Sequence, residues 1–546
     1  MVGQEAERVW VAWRAKEASS LQSDTLSLLT SVLSNGRAGL FDLALNQTMK
    51  LQSASADLEA MRDHSAFIVM GTPKQGQGLE EVRSLMLGEI DKLKKGDFPD
   101  NLLPSIINNY KRSYNQLLED NRGRANMFVD AFIQEVDWKE AVEAIDRVSK
   151  ISKPELVAFA NQFFTDGYVT VFKKQGTDSL QKKIDKPAIT PIPTNRDQVS
   201  QFVKDIQNTE VEPILPQFVD FKKDLTVGKV GKNLPMYYIK NTTNGLFNLT
   251  FYYDFGQSAD KRYDVASDYI RLLGTDKLSA AELRQKFYEL ACDWSLNVGT
   301  ENITVNLFGL NENMPAALAL LEDLFKNVKV DKAAYDQMVD LTLKSRDDAK
   351  KSQQSYFSYL YNYAAFGEHN AYRDLVSEQQ LKETDPQVFV DLLKTLSNYD
   401  HKVVYYGPLS EKEATTAIGK AHQTAKKLAA VPENKPYLNQ LATENEVLIA
   451  PYDAKNIYMR MYHNEGRTWN PEEAAVQEVF NEYFGSGMNG IVFQEMREAR
   501  GLAYNAYAYY IQPSWKDRTE CFMTHIITQN DKMNDCIAHF NEILNE

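Results

Sequence analysis

The feature that most constrains the fold of this chain is a unit of strand, polar turn and amphipathic helix that occurs three times. In the first copy the apolar run 65–70 leads through a glycine turn into a helix over 79–93. The second copy joins a strand at 301–307 to a helix at 315–325, and the third begins with a strand at 520–527. Apolar residues three and four apart in each helix give one buried face. The pattern predicts an α+β chain with repeated domains.

The first and third copies also agree upstream of the strand, where glycine-bearing segments at 35–41 and 485–493 each open a helix. Phe41 and Ile90 are 49 residues apart, and Phe493 and Ile543 are 50 apart. A shared spacing over that length indicates duplicated domains.

Two proline-containing stretches, at 182–216 and 431–444, are typical of connectors. They predict domains at 1–176, 226–429 and 445–546, joined by linkers at 177–225 and 430–444. The first domain continues well beyond its strand–turn–helix unit, whereas the third does not. We therefore expect the last domain to be truncated; a naturally small domain is the alternative.

Composition excludes some function classes. The net charge of −14 repels phosphate backbones, so nucleic acid is not an expected partner. No apolar run is long enough for a membrane helix, and the N-terminal residues do not form a signal peptide. Cys292, Cys521 and Cys536 lie in no C-x-x-C pair, which argues against a disulfide framework. The sequence does not indicate the cellular compartment.

The segment 491–510 contains the candidate functional pair. We predict a helix over 491–499 that ends at Gly501 and buries a face that includes Met496 and Ala499. A strand over 502–510 follows, in which Tyr504 shares a face with small alanines that leave room for a ligand across the sheet. Arg497 would point toward the same opening, where a guanidinium and a phenol can donate hydrogen bonds to a peptide carbonyl and an oxyanion. The pattern alone favours a simpler interpretation, a surface arginine in an ion pair and a half-buried tyrosine.

The motif Gly-x-Gly-Met-x-x-x-x-Phe-x-Glu-x-Arg-Glu, followed by Gly-Leu-Ala-Tyr, resembles the C-terminal domain signature of the pitrilysin/insulinase family of zinc peptidases. The resemblance implies four related α+β domains of mixed, mainly antiparallel sheet with helices on one face. These domains pair as two halves that close around a peptide. It also implies that Arg497 and Tyr504, seven positions apart, bind substrate. With the resemblance included, substrate binding is favoured over a surface ion pair and a half-buried tyrosine.

The resemblance covers nearly the whole chain. Residues 1–176 resemble the second family domain, 226–429 the third and 445–546 the first part of the fourth. When Phe41 is aligned with Phe493, the first domain has Leu45 and Gln52 where the last has Arg497 and Tyr504. The substrate-binding pair is therefore present once. The zinc-binding domain is expected upstream of this sequence.

None of the seven histidines heads an H-x-x-E-H motif. Val265 and Tyr269 lie where a catalytic family domain would carry its two histidines, and neither suits zinc. The resemblance therefore implies zinc in the parent enzyme but predicts none bound by this chain, and no catalytic residue in it.

The leading hypothesis is that the chain is the non-catalytic portion of a zinc endopeptidase, inactive by itself, which helps to bind a peptide or small unfolded protein. The alternative is a proteolytically inactive scaffold or peptide-binding protein of the same fold. The parent protein could be exported to the periplasm. The sequence does not decide between a monomer and a dimer. An unrelated module for a small ligand is disfavoured because the sequence has no phosphate-binding glycine loop.

Overall fold

The computed structural model describes residues 2–3, 5–177, 198–231 and 233–545. Most of the predicted linker at 177–225 is described, but its residues 178–197 lie outside these ranges. Three separate β-sheets, each with helices against it, organise the described residues. We call the segments 2–176, 226–421 and 456–545 the first, second and third units.

The described residues of the first unit form five strands and seven α-helices. The strands are β1 (Val2–Gly3), β2 (Arg8–Ala15), β3 (Ser53–Glu59), β4 (Ser65–Thr72) and β5 (Val169–Gln175). The helices are α1 (Leu21–Leu33), α2 (Leu79–Lys95), α3 (Leu102–Glu119), α4 (Asn121–Ile133), α5 (Trp138–Val142), α6 (Ala144–Val148) and α7 (Lys153–Phe163). The sheet order is β1-β5-β2-β4-β3, and only the β1–β5 pair of this described sheet is parallel.

The second unit follows a short helix, α8 (Gln201–Gln207), and its described part has six strands. These are β6 (Thr226–Val230), β7 (Leu234–Lys240), β8 (Leu246–Tyr253), β9 (Cys292–Val298), β10 (Ile303–Leu310) and β11 (Lys402–Gly407). The helices are α9 (Arg262–Ile270), α10 (Ala280–Glu289), α11 (Met314–Asn327), α12 (Lys332–Lys350), α13 (Gln353–Phe366), α14 (Glu378–Glu383), α15 (Gln387–Thr395) and α16 (Glu411–Ala421). The order is β6-β7-β11-β8-β10-β9, with β7 and β11 parallel.

The third unit, described throughout, has three antiparallel strands in the order β12-β14-β13. They are β12 (Asn456–His463), β13 (Asn505–Ile511) and β14 (Cys521–Gln529). Its α-helices are α17 (Pro471–Phe480), α18 (Ile491–Phe493) and α19 (Met533–Asn545).

The predicted strand–turn–helix unit is confirmed in all three places, as β4–α2, β10–α11 and β14–α19. In each unit the strand of this pair lies in the middle of three antiparallel strands: β2-β4-β3, β8-β10-β9 and β12-β14-β13. The mixed, mainly antiparallel α+β architecture expected from the sequence is therefore confirmed.

The predicted helix faces are the buried ones. In α2, Val82, Met86, Ile90 and Leu93 are all at most 2% exposed. In α19 the side chains of Cys536 and Phe540 are fully buried. Burial of such apolar stripes contributes roughly 25 cal/mol per Å² removed from water, which makes these faces the main attachment of helix to sheet.

The units contact one another through specific side chains. Met49 of the first unit packs in the core of the second, and Tyr288 of the second packs in the core of the first. The helix α13 packs its aromatic side chains on β12 of the third unit, with Phe357 and Tyr458 ring centroids 5.7 Å apart. No helix within the described ranges combines the length and apolar character that crossing a bilayer requires.

Candidate substrate-binding site

The candidate site lies at one corner of the third unit, where α18 continues into a π-helical turn, Gln494–Ala499. Val492 and Met496 are fully buried and anchor this turn on the sheet. Gly501 ends it at a φ of 57°, and its N–H donates to the carbonyl of Arg497 at 3.0 Å. The predicted left-handed stop at Gly501 is confirmed. Ala499, predicted to be buried, is exposed.

The predicted strand over 502–510 is wrong at its start, because β13 begins at Asn505. The N–H groups of Leu502 and Ala503 both donate to the carbonyl of Met496, at 2.9 and 3.2 Å, and this turn keeps them out of the sheet. Tyr504 follows them, 76% exposed, and its N–H donates to Ile527 of β14 at 2.9 Å. Tyr504 therefore lies just before the strand instead of within it.

The alanines of β13 also have a different role from the predicted one. Ala506 and Ala508 are 1% and 0% exposed, so they do not form an open floor for a ligand. A Cβ atom added to Gly485 would overlap the carbonyl oxygen of Ala508. The backbone at Gly485 therefore lies close against the backbone of Ala508, and the lack of a side chain on Gly485 permits this approach.

Arg497 and Tyr504 do come together. The guanidinium carbon of Arg497 lies 5.4 Å from the ring centroid of Tyr504 and 4.9 Å from that of Phe493. The side chain of Arg497 is 43% exposed, and its Nε is 3.5 Å from Glu498. Stacking on two rings orients a guanidinium through cation–π attraction while its N–H edge stays available for hydrogen bonds.

The simpler interpretation of this pair, an ion-paired arginine beside a half-buried tyrosine, does not describe Tyr504, which is exposed. Sequence reasoning missed Phe493 as part of the site. The signal was present, since residues four apart on a helical turn face each other and Phe493 precedes Arg497 by four positions. Met488, 71% exposed, adds an apolar side chain on the preceding loop.

The first unit contains the counterpart of this corner. Leu45 lies in a π-helical turn, Asp42–Asn46, and Gln52 immediately precedes β3, as Tyr504 precedes β13. Leu45 is fully buried. Gln52 contacts the second unit: Lys344 donates to its Oε1 at 2.7 Å, and its Nε2 donates to Ser345 at 3.3 Å. In the first unit one of these positions therefore serves core packing, and the other serves contact with the second unit.

The second unit does not offer a zinc site at the positions where the family motif would fall. Val265 and Tyr269 are buried in α9, and the Tyr269 hydroxyl donates to the carbonyl of Asp331 at 2.7 Å. Burial raises the pKa of Tyr269 to about 12, so the phenolate form that a metal would need is disfavoured. Across the part of the chain that the structure describes, no three His, Cys, Asp or Glu side chains are grouped to hold a metal ion. The described residues do not fit zinc.

The three related α+β units have an M16-like fold that resembles halves of M16 proteases. Residues 396–546 match the family model described as the Peptidase M16 inactive domain. The pitrilysin/insulinase resemblance is thus confirmed at the level of this fold. No curated protein gives a significant match to the sequence.

Solved structures resemble all or part of the chain. A point mutant of the ferredoxin protease FusC, in complex with Arabidopsis ferredoxin, has a TM-score of 0.51 at 10% identity, with 100% of this chain and 64% of that chain covered. The periplasmic protease PqqL from Escherichia coli has a TM-score of 0.48 at 11% identity, with coverage of 100% and 63%. A peptidase M16 inactive domain from Pseudomonas fluorescens has a TM-score of 0.48 at 14% identity, with coverage of 59% and 78%.

At 10% identity the likeness to FusC shows the fold alone. The chain spans somewhat under two thirds of the length of FusC and of PqqL. The activity, substrates and partners of a whole protein of that size are therefore matters for proposal.

Proposed function

We propose that this chain is the non-catalytic portion of a zinc-dependent endopeptidase of the M16 type, and that Arg497 and Tyr504 bind its peptide substrate. The observation that carries the proposal is their arrangement: a guanidinium stacked 5.4 Å from the centroid of an exposed phenol, at an open corner of the third unit. Both side chains can donate to the carbonyls of an extended peptide.

The surroundings support a role in binding. Phe493 also stacks on the guanidinium, so less side-chain entropy is lost when Arg497 engages a ligand. The carboxylate of Glu498 is itself 43% exposed and lies 3.5 Å from Nε, so it competes weakly for Arg497. The corner is therefore oriented and largely unengaged.

Hydrolysis is assigned elsewhere. The M16 family uses zinc, and the described residues do not fit it, so the metal and its ligands are proposed to belong to another part of the enzyme. The chain by itself is expected to bind peptide without cutting it.

The test is equilibrium binding of a fluorescein-labelled unfolded peptide, followed by anisotropy. Arg497→Ala should weaken binding roughly ten- to hundredfold, because a hydrogen bond to a charged group is worth about 1.5–3 kcal/mol. Tyr504→Phe should weaken it less, by roughly fivefold, because only a neutral hydrogen bond is lost.

Arg500→Ala is the matched control, since Arg500 lies close to Arg497 in the chain and its Nε is 3.8 Å from Glu495. It should leave the affinity within about twofold. Equal affinities for wild type and Arg497→Ala would overturn the assigned role. A folded wild type that binds no peptide would favour the scaffold alternative. Chelator-sensitive peptide cleavage by this chain alone would refute the proposal that hydrolysis belongs to another part of the enzyme.

A further inference from the structure

A cavity of about 430 Å³ lies between the first and second units. Its lining residues are distant in sequence from the arginine–tyrosine corner. Four guanidinium groups line it: Arg37 and Arg112 from the first unit, and Arg271 and Arg284 from the second. A smaller adjoining cavity of about 170 Å³ shares Arg37, Arg271 and Arg284. The concentration of positive charge at this place contrasts with the net charge of −14 on the chain.

Only one of these four guanidinium groups forms an ion pair with a carboxylate among the described residues. Asp293 pairs with Arg37 at 2.5 Å. Asp42 is 3% exposed, and its carboxylate accepts the backbone N–H groups of Asn35 and Gly39 at 2.8 and 3.1 Å. The other three arginines of the cavity form no ion pair within 4.0 Å to any carboxylate among the described residues. These three side chains therefore lack a direct ion pair among the described residues. Carboxylates act on two of them from beyond that distance: Asp42 and Asp293 on Arg284, and Asp268 on Arg271.

The arginines are also constrained and partly buried. Arg284 donates through Nη2 to the carbonyl of Arg271 at 2.7 Å, which fixes its direction. The Nε of Arg112 is buried without a hydrogen-bond partner among the described residues, and its guanidinium lies 5.7 Å from the Phe308 ring centroid. A buried donor without a partner is unfavourable and requires an explanation such as a bound ion.

The electrostatics point the same way. Burial, together with the neighbouring charges of Arg37 and Arg271, lowers the pKa of Arg284 to about 10, although the carboxylates of Asp42 and Asp293 act in the opposite direction. The charged form of this side chain is therefore disfavoured by its surroundings as they stand. An anion between the guanidiniums would reverse that effect.

We propose that this cavity binds a small, multiply charged phosphate anion that bridges the first and second units. Guanidinium groups match phosphate oxygens through paired N–H donors, which a chloride ion cannot exploit. The cavity volume lies within the range of small-ligand sites. Because two guanidiniums come from each unit, the bound anion stabilises the contact between the units in addition to filling the site.

The experiment is calorimetric titration of the whole chain with sodium triphosphate and, separately, with inorganic phosphate, at constant ionic strength set with sodium chloride. Triphosphate should bind one per chain, more tightly than inorganic phosphate, and should raise the melting temperature by linkage. Affinity should fall as salt is raised. The absence of heat and of any melting shift at millimolar triphosphate would overturn the proposal.

Two variants locate the site. Arg112→Gln and Arg284→Gln should each weaken triphosphate binding by roughly tenfold or more. Without the anion, Arg112→Gln should melt at or above the wild-type temperature, because it relieves like-charge repulsion. Arg62→Gln is the control, since that arginine is 59% exposed and lies in surface pairs with Asp63 and Glu135. Wild-type affinity in Arg112→Gln would show that the anion binds elsewhere and would refute the assignment.

Discussion

The corner at Arg497 and Tyr504 and the corner at Leu45 and Gln52 have the same construction and different surroundings. In both, the strand begins the same number of residues after the π-helical turn begins, and the residue before the strand donates its N–H to the neighbouring strand. In the first unit this corner is covered: Leu45 is fully buried, and Gln52 contacts Lys344 of the second unit. In the third unit it is open.

The difference teaches that the backbone of the repeat does not determine where a site lies. The nearby glycine loop of the first unit places Arg37 against Asp293 of the second unit, at 2.5 Å. The corresponding loop of the third unit leaves Met488 71% exposed. A corner that becomes an interface carries side chains that fit its neighbour, whereas a corner that stays open can carry side chains that fit a ligand.

The largest expected effect is that of Gly485→Ala, which tests whether the open corner depends on its glycine. The new Cβ would overlap the Ala508 carbonyl oxygen, so the turn has to move off the strand. We expect a loss of about 3 kcal/mol in the free energy of unfolding, with weakened peptide binding.

Gly487→Ala is the control for this prediction. Gly487 has a φ of 70°, and no atom lies within 4 Å of the place that an alanine Cβ would take, so only backbone strain of about 1 kcal/mol is expected. Denaturant titration of both variants makes the comparison. Equal losses would mean that the close approach at Gly485 is not what holds the corner.

A second effect should distinguish the units by their response to acid. His525 on β14 is 6% exposed, and burial, aided by the charge of Arg460, lowers its pKa to about 4. The unfolded chain binds this proton near pH 6.5 and the folded chain does not, so stability falls as pH falls between these values. The expected slope for this one site is about 1.4 kcal/mol per pH unit.

The histidine of the first unit differs from this one, since His64 is exposed. The third unit should therefore loosen before the first on acidification, as seen by hydrogen exchange at a pH of about 5 and about 7. His525→Phe should reduce the slope of the free energy of unfolding against pH by the contribution of one titrating group. His401, whose pKa burial likewise lowers to about 4, remains in that variant and supplies the residual slope of the second unit. An unchanged slope in His525→Phe would contradict this prediction.

The smallest effects concern the two residues that precede the strands. Gln52→Ala should lower the free energy of unfolding by about 1 kcal/mol, because it removes the bonds to Lys344 and Ser345. Tyr504→Ala should change it by less than about 0.5 kcal/mol, because the side chain is 76% exposed. Denaturant titration measures both changes. The comparison fails if Tyr504→Ala is the more destabilising change.

Local and repeated features could be predicted from the sequence. The strand–helix units follow from apolar spacing, and Gly501 follows from the need for a left-handed stop. The late start of β13 could not be predicted, because it depends on two hydrogen bonds back to Met496. The role of Ala508 was also hidden, since it depends on Gly485, which is distant in the chain. Contacts between units, such as Arg37 with Asp293, leave no local pattern at all.

The central claim is that the open corner binds peptide and the covered one does not. The most direct measurement is photo-crosslinking of an unfolded peptide that carries a benzophenone group, with the adducts mapped by mass spectrometry. We expect adducts within 483–504, which Arg497→Ala greatly reduces, and none within 35–52. Adducts concentrated at 35–52, or adducts at 483–504 that Arg497→Ala leaves unchanged, would contradict the claim.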